Sequence, residues 1–342
     1  MTRNHPYQQL PPTSFWSRSV ARNYAPADLY RGKTPLLKPD DRIISAGSCF
    51  AANIVPFLER AGFQYLRTES MDTDGDRFGY SRYSASYGNI YTSRQLLQLL
   101  QRATGEFAPR EDRWIEDDGV YDPFRPGLPN CAEDEDEFEI LTRAHLDRVR
   151  ETFSQSSVLL FTLGLTEAWA SEDDGAVFPA CPGTIAGTFS AERHRFANFN
   201  AHEVATDLKA AIATARQINP DLRVILTVSP VPLVATATDS HVFTATTYSK
   251  SVLRVAADDV ESTVPGVSYF PAYEIVMGPE SNQHFENDLR NVNAKGVAAV
   301  VGALFAHCEL PEASERLEEV SWQKLLSEEL TRRECEETMS DK

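Results

Sequence analysis

The 342-residue chain has only five cysteines, Cys49, Cys131, Cys181, Cys308 and Cys335. They are odd in number and lack the short paired spacing of a thiolate metal site, which argues against a disulfide framework and a structural zinc. Cys49 and Cys308 are expected to act as small buried hydrophobes. Positive charge is scarce as well: 33 Lys and Arg stand against 50 Asp and Glu, a net charge of −17. Such a surface repels phosphate backbones and anionic lipid heads, so no nucleic-acid or membrane partner is expected. Apolar runs are short, and 157–165 and 297–306 fall well below the roughly 20 residues of a membrane span. The polar start Met-Thr-Arg-Asn-His-Pro-Tyr has no secretory apolar stretch, and the expectation is a cytoplasmic protein. Also missing are Gly-x-Gly-x-x-Gly, the full Gly-x-x-x-x-Gly-Lys-Ser/Thr loop, His-Glu-x-x-His and an EF-hand loop. No cofactor or metal is therefore expected.

What is present is the make-up of a folded protein, 42% apolar and 10% aromatic, enough to build a large core. Ile43-Ile44 leads into the small residues Ser45-Ala46-Gly47-Ser48, after which Ala51, Ile54, Val55, Leu58 and Ala61 recur at helical spacing up to Gly62. That pattern predicts strand, tight turn, helix. Runs 157–163, 223–228 and 267–270 are apolar on both faces, as in covered parallel strands. Helices are predicted over 93–102, about 140–155, 202–218 and 294–307. Alternation of this kind predicts a three-layer α/β/α sandwich with a central parallel sheet and a ligand at the carboxyl ends of the strands.

The predicted organisation is an N-terminal arm over 1–33, an α/β domain over 34–308 and an acidic helical tail over 309–342. An inserted rim covers about 105–138, where Trp114, Tyr121 and Phe124 suit either sugar stacking or packing onto the body. The acidic run 133–137 inside it is expected to face solvent. No internal repeat is found, and the oligomeric state is left open.

Ser48 follows a strand and opens a helix. In that place a hydroxyl faces the cleft beside backbone N–H groups, the geometry of a nucleophile next to an anion site. The competing reading is a helix cap. The segment Ser45-Ala46-Gly47-Ser48-Cys49-Phe50-Ala51 contains the five letters that name the GSCFA domain family. Tyr87-Gly88-Asn89-Ile90-Tyr91-Thr92, the run from Phe161 to Trp169, Thr227-Val228-Ser229-Pro230-Val231-Pro232 and Tyr248-Ser249-Lys250 recur in the family's order. The chain resembles that family from roughly Thr34 to His307, and the family in turn resembles the SGNH (GDSL-like) hydrolases, implying a flavodoxin-like winding.

In SGNH enzymes a serine attacks an ester, glycine and asparagine from two later blocks complete the oxyanion hole, and an Asp-x-x-His activates the serine. By position, the resemblance implies Ser48 as nucleophile, with Ser48 and Gly88 N–H groups and the Asn89 amide as oxyanion donors. Gly88-Asn89 equally fits a simple turn. The third block departs from the pattern, with Thr166 where asparagine is expected. The last block departs further: Asp288-Leu289-Arg290-Asn291 puts Asn291 in the histidine's place, and an amide cannot take the serine proton at neutral pH. His284, with Asp288 or Glu286 orienting it, and His241 are the two candidate bases; His5, His145, His194, His202 and His307 rank lower. Glu167, Trp169, Lys250, Glu274, Arg290 and Asn291 are candidate substrate contacts. Each has a plainer reading, as a cap, a packing residue or a salt bridge. The implied activity is a serine-dependent acyl-ester hydrolase or acyltransferase on a carbohydrate or other polar acylated small molecule. The alternative, prompted by Asn291, is a binding or scaffolding protein that has lost the chemistry.

Overall fold

The computed structural model describes residues 5–32, 34–69, 76–312 and Met339. In chain order its strands are β1 (Arg42–Gly47), β2 (Gln64–Tyr65), β3 (Trp114–Glu116), β4 (Gly119–Tyr121), β5 (Val158–Leu163), β6 (Glu167–Ser171), β7 (Val177–Phe178), β8 (His194–Asn198), β9 (Arg223–Val228) and β10 (Val267–Tyr269). Its α-helices are α1 (Trp16–Ser19), α2 (Cys49–Arg60), α3 (Ser93–Thr104), α4 (Glu135–Gln155), α5 (Ala201–Ile218), α6 (Val242–Thr263), α7 (Ala272–Val276) and α8 (Ala294–Phe305).

Among the described residues, β2, β1, β5, β9 and β10 form one parallel sheet in that spatial order. Numbered within the sheet this is 2-1-3-4-5, the flavodoxin-like winding, and the order reverses between β1 and β5. Period-two alternation sorts the strand residues into two cores. Ile44, Ala46, Leu159, Phe161, Val224 and Leu226 pack under α3, α4, α5 and α6. Ile43, Val158, Leu160 and Ile225 pack under α2, α7 and α8. The predicted α/β/α sandwich is what forms, with both faces of the sheet covered.

Local signals set the helix starts. Thr92 and Gln95 close a capping box on α3, and Asn200 and Glu203 close one on α5. The acidic run is exposed, as expected, and it has a further job. Asp134 caps α4 and Glu135, Asp136 and Glu137 form its first turn, where carboxylates complement the helix dipole. The helix therefore starts five residues before the predicted Ile140.

Two features were not legible in the sequence. The rim carries a β3–β4 hairpin, and residues 167–198 form an antiparallel sheet in the order β7-β6-β8. These strands are short and partly exposed, so no covered apolar run marks them. The N-terminal arm meets the body where His307 Nε2 lies 2.6 Å from Ala27 O and Leu36 N–H donates to His307 O. The predicted tail helix over 309–342, including Cys335, falls mostly outside the described residues, as does the side chain of Cys49. Cys308 is half-buried against the α2/α8 core.

Candidate active site

The carboxyl ends of β1, β5 and β9 bring together Gly47-Ser48, Gly164 and Ser229 at the switch point of the sheet. Gly47 has φ +142°, and a Cβ there would stand 2.5 Å from Thr162 O. Only glycine lets β1 run that close to β5 and still turn into α2. Ser48 then occupies the N-cap position of α2, yet its side chain makes no capping bond. The hydroxyl instead points across the strand ends and donates to Ser229 Oγ at 3.4 Å. Ser48 is buried, at 5% exposure. Ser229 is in turn fixed by its N–H to Leu163 O at 2.8 Å, and its Oγ accepts from Val231 N–H at 3.3 Å.

The loop that carries Gly88 and Asn89 is tied to the same strand ends. Ile90 N–H donates to Gly47 O, and Tyr91 O accepts from both Gly164 and Leu165 N–H. Gly88 sits at φ +70°, with the Tyr80 ring where a Cβ would be. Among the described residues its N–H has no hydrogen-bond partner. Asn89 is buried, and its Oδ1 accepts from Tyr83 Oη at 2.6 Å, which turns the NH₂ end of the amide away from that tyrosine.

The Tyr248-Ser249-Lys250 motif clamps the turn after β5. Lys250 is buried and its Nζ donates to Gly164 O at 2.7 Å, while Ser249 Oγ accepts from Thr166 N–H at 3.1 Å. An ideal Cβ on Gly164 would lie 3.5 Å from Ser48 Cβ, so this clamp fixes the backbone immediately beside the serine.

Beyond the turn opens a cleft of about 320 Å³ between β6, the loop 178–184 and the loop 233–237. Leu165, the residue after Gly164, forms part of its wall, along with Tyr91, Glu167, Trp169, Phe196 and Thr236. Glu167 is half-buried and its Oε1 accepts from the Thr236 hydroxyl at 2.8 Å. Burial pushes its carboxyl above the ordinary range, against the hydrogen bonds from Thr236 and Ala237 that lower it. Trp169 packs edge-on against Phe189 and Phe196.

Residues 42–304, well over half of the chain, match the GSCFA family. The chain belongs to the GSCFA family. No curated protein matches it. Solved structures with some similarity include an acetyl esterase mutant with acetate ion, at 11% identity and a TM-score of 0.36, covering 78% of this chain and 94% of that one. A Clostridium thermocellum family 3 carbohydrate esterase is 8% identical, with a TM-score of 0.33 and coverage of 78% and 94%. A carbohydrate esterase family 3 protein from Talaromyces cellulolyticus is 12% identical, with a TM-score of 0.29 and coverage of 79% and 94%.

Among the described residues, the remaining candidates of this GSCFA chain make no hydrogen bond to the Ser48–Ser229 pair. Among the described residues no imidazole hydrogen-bonds Ser48. His241 caps α6, its Nδ1 accepting from Phe243 N–H at 3.1 Å. His284 is fully buried, with Nδ1 3.0 Å from Val276 O and a buried Nε2 that has no partner among the described residues. A carbonyl only accepts, so in the neutral ring Nδ1 carries the proton and Nε2 the lone pair. Asp288 accepts from the N–H groups of Arg290 and Asn291 at 3.0 Å and from the Asn291 amide, which closes a tight loop on itself. Glu274 is held by Arg254 at 2.9 Å and by Tyr269 Oη at 2.8 Å. No group of three or more His, Cys, Asp or Glu able to hold a metal occurs among the described residues.

Ser229, Thr236 and Phe196 carry no individual role in the sequence pattern. Ser229 had one signal, its place in a recurring motif at a strand end. Thr236 and Phe196 had none, because they meet Glu167 and Trp169 only through the tertiary fold.

Behind the Gly88 loop lies a buried charged network. Ser86 N–H donates to Glu69 Oε2 at 2.8 Å, and His145 Nδ1 lies 2.8 Å from the same oxygen. Although burial opposes it, the bond from His145 and the Arg125 guanidinium keep Glu69 ionised. Burial, helped by Arg125, pushes the His145 imidazole down to about 4. The folded state thus keeps His145 neutral while the unfolded chain protonates it near pH 6.5. Between those values the unfolded state holds more protons, so stability falls as pH drops from 6.5 to 4, by up to about 3 kcal/mol. Thermal denaturation at pH 7.5, 5.5 and 4.5 reads this directly. The acid-induced loss should shrink in His145→Gln; an identical loss in both proteins excludes His145 as its origin.

Proposed function

We propose that the protein is a serine-dependent acyl-ester hydrolase or acyltransferase that works through an acyl-Ser48 intermediate on a carbohydrate or other polar acylated substrate. The observation that carries this reading is the Ser48 side chain: it stands at an N-cap position, makes no capping bond, and reaches instead across the strand ends to Ser229. Ser48 Oγ attacks the ester carbonyl carbon and gives up its proton to a base, while the Ser48 and Gly88 N–H groups and the Asn89 amide bind the oxyanion. The carbonyl re-forms, the C–O bond to the alcohol breaks, and the alcohol leaves with that proton. Water or an acceptor hydroxyl then repeats the sequence in reverse and frees Ser48. The base is His284 or His241, and its transfer step requires Ser48 to leave its bond to Ser229.

A second reading is favoured by that same bond. A Ser48 hydroxyl donating to Ser229, with Asn291 tied to Asp288, fits a protein that binds an acylated ligand without cleaving it. Reaction of the purified protein with a fluorophosphonate probe, followed by peptide mapping, separates the two. Labelling at Ser48 that is lost in His241→Ala or His284→Ala, with the variant still folded, supports the enzyme and names its base. A folded wild-type protein that takes no label supports the binding protein.

A further inference from the structure

The cleft beside the 164–166 turn has an unusual balance of charge and surface. It is walled by the aromatic side chains of Tyr91, Trp169 and Phe196, and no Lys, Arg or His lines it among the described residues. Its one carboxylate among the described residues is Glu167, one oxygen of which is already engaged by Thr236. Trp169 is half-buried, held edge-on by Phe196 on the neighbouring strand, so part of its surface is left to the cleft. Aromatic surface next to hydrogen-bonding groups suits a ring with apolar C–H faces and polar edges. A carboxylate with lone pairs to spare accepts from a hydroxyl or an ammonium. It repels an anion, and in a partly desolvated cleft with no cation to screen it that repulsion is strong.

We propose that this cleft holds the alcohol part of the substrate as a hydroxylated ring whose donor, a hydroxyl or an ammonium, is read by Glu167, and that it rejects rings bearing a carboxylate. The inference rests on the cleft serving Ser48, whose Cβ neighbours the Gly164 turn. It goes beyond that reading in stating the charge class of the substrate. Trp169 stacks on the ring, and Thr236 orients the Glu167 carboxylate as a positioning residue.

Calorimetric titration of the full chain with methyl glucoside, glucosamine and glucuronate at neutral pH tests it. Methyl glucoside and glucosamine should bind, and glucuronate should bind at least ten-fold more weakly than either. Glu167→Gln, which keeps the shape and removes the charge, should reduce the glucosamine-to-glucuronate preference at least five-fold. Trp169→Leu should weaken all three. Equal binding of glucuronate, an unchanged preference in a folded Glu167→Gln, or no binding of any of the three overturns the proposal. The probe reaction at Ser48 is independent of these titrations. Labelling without discrimination sinks the cleft assignment alone; discrimination without labelling leaves the cleft standing and sinks the acyl-enzyme.

Discussion

Replacing Ser48 by alanine should cut the hydrolysis of p-nitrophenyl acetate about 10³-fold or more and abolish fluorophosphonate labelling, while the melting temperature barely moves. The reasoning turns on what the hydroxyl does in the folded chain. A serine that caps a helix contributes about 1 kcal/mol, and removing it should be visible in a melt. Ser48 makes no such bond; among the described residues its one side-chain partner is Ser229 Oγ at the long distance of 3.4 Å. A bond of that length contributes little, so the stability change should stay within about 0.5 kcal/mol. Ser229→Ala should slow labelling by less than Ser48→Ala does, since Ser229 holds the nucleophile without forming the acyl bond. Esterase rates in Ser48→Ala equal to those of the wild type would remove Ser48 from the chemistry. A loss of about 1 kcal/mol with no change in labelling would return it to the capping role.

Arg125→Met should destabilise the fold by about 3–5 kcal/mol, the cost of stranding a buried charge. The Arg125 guanidinium meets Asp122 at 2.8 Å, with both side chains almost entirely excluded from water, and lies 3.7 Å from Glu69. It also reaches Ser86 O at 3.5 Å. Asp122 in addition accepts from Phe124 N–H, and Arg102 stacks on the Phe124 ring at 3.9 Å from its centre. The pair therefore joins the rim to the loop that carries Gly88 and Asn89. Adding Asp122→Asn removes the stranded carboxylate and keeps the hydrogen-bond shape, so the double variant should be more stable than the sum of the singles by about 0.5–3 kcal/mol. Denaturant titrations of the four proteins measure that coupling. Strict additivity would mean that the two groups act separately. If the network positions the loop, labelling at Ser48 should also slow in the folded double variant, with the wild-type rate restored by Arg125→Lys only in part, because lysine lacks the fork that spans two acceptors.

The strand–turn–helix at Ile43–Gly62 and the covered strands at 158–163 and 223–228 are local patterns, read over a few neighbours. They sufficed for the α/β/α sandwich and for placing Ser48 at a strand end, because periodicity decides which face of each element is buried. The partner of Ser48 is a different matter. Ser229 lies 181 residues away, and only the spatial neighbourhood of β1, β5 and β9 brings the two hydroxyls together. The same holds for Glu167 and Trp169: their sequence allows a cap, a core residue or a ligand contact, and it is the pairing of β6 with β8 and the loop 233–237 that makes them a cleft wall. His284 and His241 carry equal promise in the sequence. The fold buries one against Val276 O and gives the other a helix to cap, since a side chain's hydrogen-bond partner is set by what packs against it and not by the residues beside it in the chain.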